Sequence, residues 1–179
     1  PKLMSIFQMQ ALAFGAEMIS GKAKRVDKLD AEFLVALTND ETYSARIVIL
    51  AYGKVARELG IPGEAKFIGR GVSTCSTCDA PLFRNKTIAV VGGGNSALEA
   101  AVLGSEFSKK VYLIHRREGF RGDPITIDKV KTKSNIELVL NSIPVEIKGE
   151  KFVRALIVEN VNTKERKELL PSGQQFIFD

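Results

Sequence analysis

The spacing of apolar positions changes character once along the chain. Phe7, Ala11, Phe14 and Met18 recur at helical intervals and Gly21 follows as a stop, which predicts a helix over residues 4–19. Three strand-like runs come next, at 23–29, 32–38 and 45–51. In the second of them Phe33, Val35 and Leu37 alternate, and Asn39-Asp40-Glu41 is the turn into the third. Ile47-Val48-Ile49-Leu50 is apolar on both faces and is expected to be buried. A helix with a three-stranded meander is a fragment of a fold, since about 60 residues of this kind bury little surface.

Ile61-Pro62-Gly63 and Gly69-Arg70-Gly71 interrupt the pattern and read as a linker. Beyond it the grammar alternates: strand 87–91, helix 95–107, strand 111–114, helix 125–133 and strand 136–140. Further strands are expected at 144–147, 152–160, 167–170 and 175–178. That succession predicts an α/β fold, a parallel sheet with an antiparallel flap inserted. The expected organisation is therefore two domains, residues 1–67 and 68–179.

Composition narrows the class. Of the 179 residues 45% are apolar and 26% charged, which excludes a disordered or fibrous chain. No run approaches the roughly 18 apolar residues of a membrane span, and the first residues do not form a signal-peptide core. The formal charge of +5 is concentrated. Between Ser108 and Lys133, eight basic residues face three acidic ones, which accounts for the whole excess. An anion site is to be sought there. Few aromatic residues interleave with these charges, only Tyr112 and Phe120, so a nucleic-acid surface is not expected.

Gly92-Gly93-Gly94-Asn95-Ser96-Ala97 reads as G-x-G-x-x-A directly after an expected buried strand and at the opening of an expected helix. Gly92 permits the tight turn, Gly94 lets backbone approach a pyrophosphate at a helix N-terminus, and Ala97 keeps helix and strand close. A dinucleotide is the natural guest. NAD sites place an acidic residue about 20 positions on, to accept from the ribose hydroxyls. Here Arg116 stands 22 residues after Gly94, within His115-Arg116-Arg117-Glu118-Gly119-Phe120-Arg121. Guanidinium groups make paired charged hydrogen bonds to phosphate, so NADPH is the expected cofactor.

Cys75 and Cys78 are the only cysteines. A disulfide framework needs several spaced cysteines, and a structural zinc site about four ligands where two Cys and one His are available. No metal is expected, and the pair reads as a redox dithiol. Asp79 follows at once. It is either the acid that serves the thiols or a helix N-cap before Ala80-Pro81.

A Cys75-Ser76-Thr77-Cys78-Asp79 stretch shortly before a strand and Gly92-Gly93-Gly94-Asn95-Ser96-Ala97 resembles the low-molecular-weight thioredoxin reductase family, which includes the related flavoprotein of alkyl hydroperoxide reduction. The resemblance runs on through His115-Arg116-Arg117 and back through Ile49-Leu50-Ala51-Tyr52-Gly53-Lys54 and Leu59-Gly60-Ile61-Pro62-Gly63-Glu64. It implies a Rossmann-like NADPH-binding domain beside a remnant of an FAD-type α/β domain. It also implies an oxidoreductase passing electrons from NADPH through FAD to the dithiol, then to a thioredoxin-like or glutaredoxin-like protein disulfide. Carried over, Cys78 would face the flavin, Cys75 would attack the partner disulfide, and Asp79 would manage protons. Gly92, Gly93, Gly94, Asn95, Ser96, Ala97, His115, Arg116, Arg117 and Arg121 would hold the nucleotide.

The chain also departs from that family. The family's first glycine loop, for FAD, and its closing Gly-Asp segment are not in this sequence, so truncation at both ends is expected and FAD binding is in question. Tyr52 stands where a Thr is usual and Ala56 where a Pro is usual. The alternative expectation is a flavin-free NADPH-binding dithiol module without turnover. Phe7, Phe14, Ile47 and Ile49 would then be partly uncovered, which predicts a homodimer. Cysteine usage and the lack of an export signal predict a cytoplasmic protein.

Overall fold

In the computed structural model, which describes residues 2–53, 55, 57–169 and 175–178, the chain folds as two units, Pro1–Lys54 and Val55–Asp179. The expectations on Ala56 and Leu170 fall outside the described residues. The first unit opens with α1, Lys2–Ala13. It ends earlier than the periodicity predicts because Gly15, not Gly21, takes the left-handed conformation that stops it, at φ 82°. No side chain of α1 is buried.

An antiparallel meander follows, β1 Ala23–Lys28, β2 Phe33–Leu37 and β3 Thr42–Ala45, in the order β1-β2-β3. The third strand corrects the 45–51 expectation. Asp40 turns at φ 67°, so pairing begins directly at Thr42 against Ala36 and ends at Ala45 against Phe33, where β2 itself begins. Past that point a strand would have no partner. Residues 46–53 carry no regular structure, and Ile47, Ile49 and Leu50 are 79%, 86% and 64% exposed. The expectation of a buried 47–50 run is overturned. An apolar run is buried only where another layer covers it.

The second unit comprises α2 Glu64–Phe67, β4 Val72–Ser73, α3 Ser76–Asp79, a 3-10 turn Ala80–Phe83, β5 Thr87–Val91, α4 Asn95–Phe107, β6 Lys110–Ile114, α5 Pro124–Thr132, β7 Ile136–Val139, β8 Ser142–Gly149, β9 Val153–Asn160, β10 Arg166–Leu169 and β11 Gln175–Phe178. Five strands form one parallel sheet in the order β4-β11-β5-β6-β7. The other three form an antiparallel flap, β10-β9-β8. The expected α/β architecture is present. The alternation of β5 and β6 divides the core between two faces. Ile88, Val90, Val111 and Leu113 pack with Leu98 and Ala101 of α4 and with Val130 of α5. Ala89 and Ile114 face the flap with Phe67, Ile147, Leu156 and Val158. Each large side chain so buried contributes about 1.5–3 kcal/mol.

The segment expected to be a linker is bound into this second unit. Leu59 and Ile61 pack on the flap-side core, and Ile147 N donates to Pro62 O at 2.9 Å. The division between the units falls correspondingly earlier in the chain than residue 67.

The strand order positions the site. From β5 the chain moves one way, through α4, β6, α5 and β7, while β11 and β4 lie on the other side. The carboxyl end of β5 is thus a topological switch point, the place where open α/β sheets leave a crevice for ligands.

Candidate functional site

The glycine run leaves β5 at that switch point. Gly92 has φ 148°, a conformation side chains disfavour, and its N–H donates to Ile114 O at 3.0 Å. Gly93 is buried against the His115 ring, where a Cβ would come within 2.2 Å of Cε1. Gly94 is the N-cap of α4 with no side-chain cap bond, and a Cβ there would meet nothing within 4 Å. Gly94, Asn95 and Ser96 are all exposed. The first turn of α4 therefore turns uncapped N–H groups toward open space, the arrangement that binds a phosphate. Ala97 is buried in the helix-side core, as its expected packing role requires. Gly104 adds a closer approach that sequence reading missed, since a Cβ there would lie 2.6 Å from Ile88 Cδ1.

The basic loop after β6 is tied to the glycine loop. Arg121 N donates to Gly93 O at 2.9 Å, and Asp123 N donates to Asn95 Oδ1 at 2.7 Å. Gly122 sits so close that a Cβ would lie 2.8 Å from Asn95 Oδ1. Arg116, Arg117 and Arg121 are exposed, free to meet an anion beside the α4 N-terminus. His115 is different: its side chain lies inside, 5% exposed. Its ring stacks on Phe120 at 5.4 Å, and Nε2 lies 3.2 Å from Gly119 O. That bond places the ring proton on Nε2.

Burial holds the His115 imidazole below its usual range; Arg117, Arg116 and Arg121 push the same way, against the opposing pull of the bond to Gly119. A histidine with a depressed folded pKa stabilises the fold fully above its unfolded value, about 6.5, and progressively less as pH falls below it. Denaturant midpoints should therefore drop between pH 7.5 and pH 5.5, and His115→Asn should shrink that drop. Identical pH dependence in both proteins would contradict this origin.

The dithiol lies on the same unit. Cys75 and Cys78 form a disulfide with Cα atoms 5.3 Å apart, and α3 packs beside α4. Cys75 is the N-cap of α3: its Sγ accepts from Cys78 N at 3.3 Å. The Thr77 hydroxyl lies 3.5 Å from the same sulfur, and Ser73 Oγ accepts from Cys75 N at 3.1 Å. Cys75 is half-buried and Cys78 exposed. On reduction the donors around Cys75 would favour its thiolate. Asp79, half-buried, ends α3 and makes no side-chain cap bond to the following turn. Asp79 thus occupies the N-cap position before Ala80-Pro81 without its side chain serving as the cap.

Strand, glycine loop, basic loop and dithiol helix together have the arrangement of a dinucleotide-binding redox domain. The chain belongs to the pyridine nucleotide-disulphide oxidoreductase family, which it matches over residues 5–172. It is 41% identical over 176 residues to the thioredoxin reductase of Helicobacter pylori, covering 98% of this chain and 56% of that protein. To the thioredoxin reductase of Buchnera aphidicola subsp. Schizaphis graminum it is 42% identical over 174 residues, covering 94% and 54%. Among solved structures, the thioredoxin reductase of Giardia duodenalis matches with a TM-score of 0.78 at 31% identity, over 100% of this chain and 59% of that one. The Lactococcus lactis enzyme, in its FR conformation, matches with a TM-score of 0.73 at 30% identity, over 99% and 59%. The chain thus spans a little over half the length of these relatives.

Proposed function

We propose that this chain is the NADPH-binding, dithiol-bearing part of a flavin-dependent disulfide reductase of the thioredoxin reductase type, acting in the cytoplasm on a thioredoxin-like or glutaredoxin-like protein disulfide. The observation that carries the reading is the seating of the dithiol helix α3 beside α4, the helix whose N-terminus forms the phosphate cradle. One compact unit thus carries both the proposed hydride donor's site and the electron acceptor.

The residues present fit NADPH. The uncapped N–H groups after Gly94 would take the pyrophosphate, and Arg116, Arg117 and Arg121 the 2′-phosphate. The first unit does not fit FAD in the same way. Among its described residues the helix precedes the strands, so no strand–glycine turn–helix is there to cradle a pyrophosphate. The flavin, where the whole reductase holds it, turns a hydride into dithiol electrons. Downstream the chain's own groups suffice. The Cys75 thiolate attacks one sulfur of the partner disulfide, forming a mixed disulfide and releasing the other sulfur as a thiolate. The Cys78 thiolate then attacks Cys75 Sγ, the intramolecular disulfide re-forms, and the partner leaves as a dithiol. Two electrons have moved, and Asp79 supplies a proton to a departing thiolate. The exposed Leu3, Met4, Phe7, Met9 and Phe14 of the first unit support a homodimer covering that face.

Arg116→Ala combined with Arg117→Ala tests the nucleotide half. Two charge-assisted contacts contribute about 1.5–3 kcal/mol each, so NADPH affinity should fall by roughly two to four orders of magnitude while NADH affinity changes little. Calorimetric titration of both cofactors reads this directly, and light scattering on the same samples should give the mass of two chains. Equal losses for the two cofactors, or none, would refute the 2′-phosphate assignment; a single-chain mass would refute the dimer.

A further inference from the structure

His115 lies between the two loops of the proposed phosphate site, yet its side chain is buried. Three contacts of the ring are to the two loops that build the site. One face of the cluster is Gly93, whose Cα approaches so closely that no Cβ would fit. Another is the Phe120 ring, stacked at 5.4 Å with planes 25° apart. The third is Gly119 O, within hydrogen-bonding distance of Nε2. The backbone of His115 is anchored as well, its N–H donating to Val139 O and its carbonyl accepting from Ser142 N, each at 3.0 Å. The ring thus forms the floor between the glycine loop and the basic loop. Arg121 N, which donates to Gly93 O, closes the same ring of contacts from the other side.

We infer that His115 is a positioning residue, which holds the 92–94 loop and the 115–121 loop in one fixed relation and touches no phosphate itself. The inference rests on the dinucleotide site proposed above and divides its labour. The three exposed arginines distinguish NADPH from NADH; His115 sets the distance and orientation between the pyrophosphate cradle and those arginines for either cofactor. The depressed basicity of the ring agrees with this. Flanked by Arg116, Arg117 and Arg121, a neutral imidazole adds no charge for a phosphate to seek, and it donates its one proton to Gly119.

A phosphate ligand and a floor respond differently to substitution, and three forms of the chain separate them: wild type, His115→Ala and His115→Phe. Kd for NADPH and for NADH is measured on each by calorimetry, with circular dichroism confirming a folded chain at the titration temperature. A floor predicts that His115→Ala weakens both cofactors by the same factor, about tenfold for one lost positioned hydrogen bond and its packing. His115→Phe, which keeps a ring against Gly93 and Phe120 but cannot donate to Gly119 O, should recover the packing part of that loss, and equally for both cofactors. A ligand of the 2′-phosphate would instead lose NADPH alone, and phenylalanine would not restore it. That outcome, or unchanged affinity for both cofactors, overturns the inference. Amide hydrogen exchange provides a readout independent of any cofactor. In His115→Ala, protection should fall at Arg121, whose N–H bonds Gly93 O, and at Gly92, with β9 unchanged. Should the wild-type chain bind neither dinucleotide, the proposed function fails. The exchange experiment still decides the role of His115, and undiminished protection at Arg121 refutes it.

Discussion

In the proposed reductase, serine at either Cys75 or Cys78 should abolish protein-disulfide reduction while leaving NADPH affinity within error of wild type. The two sulfurs share one bond and neither can form it alone, so no slower route remains. The proposed nucleotide cradle is the N-terminus of α4, whereas the dithiol belongs to α3, so binding should not be disturbed. The single variants also report which sulfur attacks the partner. Cys75 Sγ receives the Cys78 N–H and lies 3.5 Å from the Thr77 hydroxyl, which favours its thiolate. Cys78→Ser should therefore accumulate a stable mixed disulfide with a thioredoxin-like protein, visible by non-reducing electrophoresis, and Cys75→Ser should not. An adduct on Cys78 instead would reverse the roles. Residual turnover in either variant would remove the dithiol from the electron path.

Gly63→Ala should be the most damaging single substitution to the fold of the second unit. Gly63 stands at φ 91° and ψ −21°, where an L side chain costs about 1–2 kcal/mol. Its Cβ would also fall 2.1 Å from the backbone oxygen of Ile147, and a backbone atom cannot swing aside as a side chain can. Relief would require giving up the Ile147–Pro62 hydrogen bond that ties this segment to β8. Next to it the buried Glu64 carboxylate accepts from Leu59 N at 2.9 Å and Gly60 N at 2.7 Å, so the whole turn moves together. The expected loss is about 3–5 kcal/mol, a large share of a typical domain's roughly 5–15 kcal/mol. Guanidinium unfolding followed by far-UV dichroism measures it. Gly94→Ala is the control: ordinary φ, open space, and a stability change within about 0.5 kcal/mol. Equal midpoints for the two variants would contradict this account of Gly63.

The features legible in the sequence were those whose signal is local. A five-residue apolar strand, three glycines and an amphipathic helix are adjacent in the chain, so the β5–loop–α4 unit could be read directly, as could the dithiol. The 47–50 run was misread because burial depends on a covering layer, and hydrophobicity reports only what such a layer would gain. The third strand was displaced because its length is set by β2, its partner, and not by its own residues. The linker reading failed at Gly63 for a related reason: Pro and Gly there mark a close approach to Ile147, 84 positions further on. The sequence marked His115 for the nucleotide site and Glu64 only as part of the resemblance, and neither carried a clear signal of burial. Only the packing of distant segments shows that both are buried, and a His directly following a fully apolar strand was the one hint available.

Strand β11 lies inside the parallel sheet, between β4 and β5, although it comes more than 80 residues after either of them in the chain. During synthesis the ribosome delivers β5, β6, β7 and the flap before the strand that joins them to β4. Until residues 175–178 emerge, one edge of β5 presents a row of unpaired N–H and C=O groups. The nascent domain is therefore a sheet with an open slot between β4 and β5, and filling that slot is a long-range event. A ribosome that stalls shortly before this strand would leave a chain with its helices in place and an adhesive edge, the kind of nascent species that chaperones hold and proteases remove.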